Sequence, residues 1–112
     1  VTIFLIGSLA SCKDEGRIAP EFLSGKWLIF EAMRGDKKTN TLNGAFFYFE
    51  GNIMTTNFLG VENQAEFELK DNVIKTTKGF DYIFNLKKES AAAIEMRVEI
   101  KKTVFVFKLK RG

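Results

Sequence analysis

Few residues in this sequence can do chemistry. Cys12 carries the only thiol, and there is no His among the 112 residues. One Cys and no His exclude an internal disulfide, most zinc sites, and the Ser-His-Asp and Cys-His mechanisms. Carboxylates are plentiful, and paired carboxylates can do acid–base work. Here Glu66/Glu68 and Glu95/Glu99 alternate with apolar residues, which is the pattern of a solvated sheet face. The polar stretches Gly35-Asp36-Lys37-Lys38 and Gly60-Val61-Glu62-Asn63 lack calcium-loop spacing. No glycine-rich phosphate motif is present. No catalytic residue, cofactor or metal is therefore expected, and the chain is read as a non-enzyme.

Charge points the same way. With 17 Lys+Arg against 14 Asp+Glu, the net charge is +3. That is too mild, and too mixed in sign, to argue for nucleic acid. Basic residues do gather late, at Lys101, Lys102, Lys108, Lys110 and Arg111. Such a cluster on a small β-rich chain could suit a single strand, but the export signal described next argues against a nucleic-acid partner. Anionic headgroups or glycans suit it better, and surface charge for solubility accounts for it most simply.

Cys12 gains its meaning from what surrounds it. The first charge in the chain is Lys13, and residues 1 to 11 are apolar or small throughout. Eleven residues cannot span a bilayer, which needs about 20, but they suit the apolar core of a secretory signal. The initiating Met and basic residues of a signal are missing, so the chain is expected to begin inside it. Leu9-Ala10-Ser11-Cys12 resembles the lipobox of bacterial lipoproteins. The resemblance implies a diacylglyceryl thioether on Cys12, cleavage between Ser11 and Cys12, and acylation of the new amine, for example with palmitate. Two or three acyl chains anchor stably, since each buried methylene contributes about 0.8 kcal/mol. Lys13-Asp14-Glu15 resembles the signal that sends lipoproteins to the cell surface in Bacteroidetes-type envelopes. The expected location is the outer membrane, with surface exposure as the finer expectation. The alternative is an N-terminal strand or core segment with a buried free Cys.

Beyond the tether the hydrophobic period is two. Ile94, Met96, Val98 and Ile100 interleave with Glu95, Arg97, Glu99 and Lys101. Similar alternation runs through Ala65–Leu69, Phe80–Leu86 and Phe105–Leu109. Turn residues separate the runs at Gly51-Asn52, Asp71-Asn72, Lys78-Gly79, Glu89-Ser90 and Lys101-Lys102. Eight strands are predicted, at 26–34, 44–50, 52–59, 64–70, 72–77, 80–88, 92–101 and 103–110. A helix around Ser90-Ala91-Ala92-Ala93 is the main competitor. Pro20 with Glu21-Phe22-Leu23 predicts one helical turn, ended by Ser24-Gly25. Eight antiparallel strands bury their edges best by closing. The expected fold is all-β, a small eight-stranded antiparallel up-and-down barrel, with Lys and Glu outward rather than the apolar exterior of a membrane barrel.

Gly25-Lys26-Trp27 opens the first strand and resembles the Gly-x-Trp signature of lipocalins. The resemblance covers most of residues 22 to 111 and is nearest to the small lipocalin-like domains found behind lipoboxes. It implies a Trp27 that plugs one end of the barrel and a basic residue stacked across it, here Arg111, with Lys110 in reserve. It also implies binding of lipids or other hydrophobic small molecules. The tight loops and the short mature chain, Cys12 to Gly112, set this protein apart from a full-size lipocalin. The domain plan is a truncated signal over 1–11, a lipidated Cys and tether over 12–21, and a barrel over 22–112.

Twelve Phe raise the central question of whether aromatics line a calyx or fill a core. The candidate lining is Phe47, Phe49, Phe67, Tyr82, Phe84, Met96, Phe105 and Phe107. Glu31 shares parity with Trp27 and Ile29, so it could point inward as a ligand anchor, unless a bulge puts it in water. Phe46 to Phe49 place aromatics on both faces, and the outward ones could form a contact patch. Two roles follow: an outer-membrane or surface lipoprotein binding a small hydrophobic ligand, or one with a filled barrel that acts structurally or on an envelope protein partner.

Overall fold

The computed structural model describes residues 16–40, 42 and 44–112. The expected signal, cleavage pair Ser11/Cys12 and start of the tether lie outside the described residues. One helical turn, α1 (Pro20–Leu23), is followed by β1 (Gly25–Arg34), β2 (Lys37–Thr39), β3 (Phe46–Glu50), β4 (Ile53–Thr56) and β5 (Asn63–Lys70). Then come β6 (Val73–Lys78), β7 (Ile83–Ser90), β8 (Ala93–Ile100) and β9 (Thr103–Arg111). Each strand from β3 to β9 pairs antiparallel with the next, and β1 pairs with both β3 and β9. The result is a closed eight-stranded up-and-down barrel, in agreement with the lipocalin-like fold that the Gly-x-Trp resemblance implies.

The short strand β2 was not expected. Gly35-Asp36 turns the chain back, and Lys37–Thr39 pairs with Arg34, Met33 and Ala32. It uses the edge of β1 that β3 leaves vacant beyond Leu28. The Ala-rich segment is not helical. Ala91-Ala92 forms the tight turn between β7 and β8, because alternation on both sides outweighs the local helix propensity of three Ala. The stretch 16–19, expected as linker, is partly structural. Ile18 is buried, its amide donates to Asn72 Oδ1 at 2.8 Å, and Asn72 Nδ2 donates to the Gly16 carbonyl at 2.9 Å.

Inward positions follow the period of two. Phe47/Phe49, Phe84/Leu86, Ile94/Met96/Val98 and Phe107/Leu109 are all buried. In β1 the parity changes. Ile29 opposes Leu109, but Glu31 opposes Lys108, so Phe30 is one residue too many on its strand. This bulge turns Phe30 to solvent and brings Ala32, not Glu31, to the interior.

Two ends can be distinguished. The turns at 51–52, 71–72 and 91–92 share one end with α1 and the segment before it. The turns at 35–36 and 101–102 and the connections 57–62 and 79–82 share the other. Gly79 occupies the tightest spot among these connections. At φ +102 a Cβ there would lie 2.7 Å from the Gln64 carbonyl oxygen.

The Lys101-Lys102 hairpin takes φ of 50° and 68°, a left-handed pair that suits Asn-Gly far better than two lysines. Replacing Lys102 by Gly removes the Cβ clash at φ > 0. It is expected to raise stability by about 0.5–1 kcal/mol in urea unfolding.

Candidate functional site

The end carrying α1 is closed by a stack built on Trp27. Trp27 is fully buried, and its indole N–H donates to the Leu23 carbonyl at 2.8 Å, which locks α1 over the barrel end. Arg111 is the cross-strand partner of Trp27. Its guanidinium lies 4.3 Å from the indole centroid and 5.1 Å from the Phe22 ring. The same group donates to the Ser24 carbonyl at 3.0 Å and to the Phe22 carbonyl. One planar cation thus caps the carbonyl end of α1 and stacks on two rings, which a Lys could not do. Gly25 takes φ +111, a conformation that favours glycine, while a Cβ there would meet Arg111 Nη1 only in ordinary contact at 3.6 Å. Lys88 Nζ also lies over the Phe22 ring, 4.5 Å from its centroid.

The middle of the barrel is packed. Phe47 touches Phe84, Phe107 and Phe58 at centroid distances of 5.9, 6.1 and 5.4 Å. Phe58 in turn meets Phe84 at 5.9 Å and Phe107 at 5.8 Å. Phe58 follows β4 in a loop, yet only 4% of it is exposed. Buried Thr56 puts it there. The Thr56 hydroxyl donates to the Phe46 carbonyl at 2.7 Å and accepts from the Phe58 amide at 3.2 Å. Asn57 Oδ1 accepts from the Phe46 amide at 3.0 Å. The chain leaving the sheet is held against β3, and Phe58 enters the barrel as a plug.

The candidate lining residues therefore do not surround one calyx. Phe47, Phe84 and Met96 form the packed centre. Phe49 and Phe67 face a recess of about 340 Å³ beside α1, together with Leu23 and Leu69. Phe105 and Phe107 face a second recess of about 320 Å³ at the opposite end, the mouth. Tyr82 packs on Phe58 at the rim, and its backbone is clipped by Thr76, whose hydroxyl accepts from the Tyr82 amide at 2.8 Å. Glu31 is not part of either recess. The bulge turns it to the outer face, where it pairs with Lys38 at 3.5 Å and Lys108 at 3.9 Å. Its parity with Trp27 suggested an inward position; the extra residue at Phe30 reverses that.

Sequence reasoning missed several mouth residues: Arg34, Leu42, Phe58 and Ile100. Phe58 carried a usable signal, since Met54, Thr56 and Phe58 continue one parity. Arg34 and Leu42 carried none, because they come together only through the β1–β2 hairpin. Arg34 stacks on Phe105 at 5.9 Å and is the cation of the mouth. Among the described residues no group of three or more His, Cys, Asp or Glu is placed to hold a metal ion.

The chain matches no family model, no curated protein and no solved structure.

Two substitutions test these assignments. Arg111→Ala should lower stability by about 1–3 kcal/mol, through a lost cation–π stack and two lost charged hydrogen bonds. Arg111→Lys should recover only part of that in urea unfolding. Phe58→Ala should cost about 3–5 kcal/mol and open the interior to the mouth. Binding of a small apolar fluorophore by the folded variant, but not by the parent, would register the new cavity.

Proposed function

We propose that this chain is a lipid-anchored protein of a bacterial outer membrane whose lipocalin-like barrel holds a small hydrophobic ligand at its mouth. The anchor reading rests on Leu9-Ala10-Ser11-Cys12 and on the single Cys of the sequence. The observation that supports the binding reading is the mouth recess. There Phe105, Leu42 and Ile100 bring apolar surface within reach of solvent above buried Phe58 and Phe107, beside one cation, Arg34. Its volume of about 320 Å³ stands at the lower bound of small-molecule sites, and the packed layer below it blocks deeper entry. The ligand is accordingly small, or inserts only an apolar end. Binding would come from apolar burial, with Arg34 fixing the orientation of a polar or anionic head. No bond-making step is part of this reading.

The opposition of the two ends supports it. The N-terminal segment joins the barrel at the α1 end, held by Asn72. An anchor at Cys12 would leave the mouth facing away from the membrane.

A second reading, contact with an envelope protein, is favoured by the loop beside the mouth. Leu59 is 41% and Val61 66% exposed, a pair of apolar side chains that a protein surface would cover.

Acyl groups on Cys12 and cleavage after Ser11 are expected in the intact mass of the membrane-purified protein, and an unmodified Cys12 would refute the anchor. Native mass spectrometry of the detergent-purified protein should show a co-purifying small molecule. Phe105→Ala with Arg34→Ala should remove it while leaving the fold intact by circular dichroism. A wholly unliganded parent together with a stable protein complex lost in Leu59→Ser/Val61→Ser would favour the second reading.

A further inference from the structure

The outer face of the barrel is Lys- and Glu-rich except along one strip, where β3, β1 and β9 run side by side toward the α1 end. There Tyr48 stands opposite Lys26, and Leu28 lies between Phe46 and Lys110. Phe30 follows, turned outward by the β1 bulge. Phe30 is 46% and Tyr48 38% exposed. The other large apolar side chains exposed among the described residues, Leu59, Val61 and Ile83, belong to the mouth half. Lys26 lies over the Phe46 ring at 5.2 Å, and Lys110 over the Phe30 ring at 5.8 Å. The ion pairs among the described residues are Glu31 with Lys38 and Glu31 with Lys108, so Lys26 and Lys110 have no carboxylate partner. At the end of the strip Arg111 and Lys88 flank Phe22, also without carboxylate partners. Acidic residues also touch its borders: Glu50 at the end of β3, Glu21 beside Phe22 in α1, and Glu31 after Phe30, already paired with Lys38 and Lys108.

We propose that this strip is a docking surface for an anionic lipid bilayer. Aromatic rings with unpaired lysines beside them match the interface of such a bilayer. The rings settle at headgroup depth, and the ammonium groups meet lipid phosphates. A protein partner would be expected to offer carboxylates to the same lysines, but the apolar side chains here form a thin band interrupted by Lys26 and bordered by Lys110 on β9, not a broad apolar patch. The chain places the strip where it can act. The segment that enters the barrel does so at this end, and three residues lie between Cys12 and Gly16, four Cα steps with a reach of at most about 14 Å. The proposal rests on the envelope-lipoprotein reading for the position of the membrane, but not for the contact itself. The contact would add to acyl anchoring and hold the barrel at one tilt, its mouth turned outward.

The test uses the mature chain from residue 12 carrying Cys12→Ser, which has neither the apolar leader nor an acyl group, so that its outcome is independent of the anchor. Co-sedimentation is measured with vesicles of phosphatidylcholine alone and with phosphatidylglycerol mixed in, at low and high salt. Binding is expected only with the anionic vesicles, and should weaken with salt. Lys26→Gln with Lys110→Gln should lower the partition coefficient roughly ten- to thirtyfold. Phe30→Ser should lower it separately, at unchanged salt dependence. Lys101→Gln with Lys102→Gln makes the same charge change at the mouth end and should leave binding unaltered. The proposal is overturned by absence of vesicle binding, by equal binding to both vesicle types, or by equal loss in the two double variants. Retention on an anionic polysaccharide without vesicle binding would overturn it as well. Failure of the anchor reading appears elsewhere, as an unmodified Cys12 in the intact mass of the membrane-purified protein.

Discussion

The structure depends on one pairing, that of the first long strand with the last. Until Gly25–Arg34 meets Thr103–Arg111, eight strands form an open sheet with two free edges and an apolar face exposed to water. Closure satisfies both edges and gives every inward side chain a neighbour across the barrel. It is also the most distant contact in sequence, so its loop-closure entropy is the largest to overcome. The stack of Arg111 on Trp27 and Phe22 sits at the end of that seam and joins both strands to α1. A charged group that binds two carbonyls and two rings cannot leave without exposing all four.

Once the barrel is closed, its interior volume is set, and the question becomes what occupies it. Eight strands leave room for side chains or for one small ligand. In this chain Phe residues from facing strands meet in the middle, and Phe58 completes the layer from a loop. Interiors pack at near-crystalline density, so such a layer leaves no channel. It divides the space into two shallow recesses, one under α1 and one at the mouth. The two ends then serve different ends of the molecule. The α1 end receives the N-terminal segment and carries the cations beside Phe22, while the mouth keeps accessible apolar surface and Arg34.

Much of this was legible in the residues. Strict alternation from Ile94 to Ile100 and from Phe105 to Leu109 marks strands and their inward faces, because a pleated chain places every second side chain on the same side. Gly25, Trp27 and Arg111 come together as the Gly-x-Trp resemblance implied, on first and last strands that barrel closure sets side by side. Three features were not legible. The β2 hairpin exists because β3 pairs with only part of β1. Glu31 lies outside because Phe30 is inserted opposite Leu109 and Lys108. The filled centre depends on Thr56 holding a loop residue inward.

The sequence by itself therefore determined the strand periodicity, the direction of each regular side chain and the closing contact, all properties of local geometry and chain order. It also carries the lone Cys12 and its apolar, small-residue setting, which are the grounds for reading an anchor. The tertiary structure decided what local geometry cannot: where a partner strand ends, which residue a bulge expels, and whether aromatics meet. Those outcomes depend on register and volume shared between segments distant in sequence. That is why the inward Phe residues of the strands could be read from the chain, while the entry of Phe58 from a loop and the division into a packed centre and two separate recesses could not.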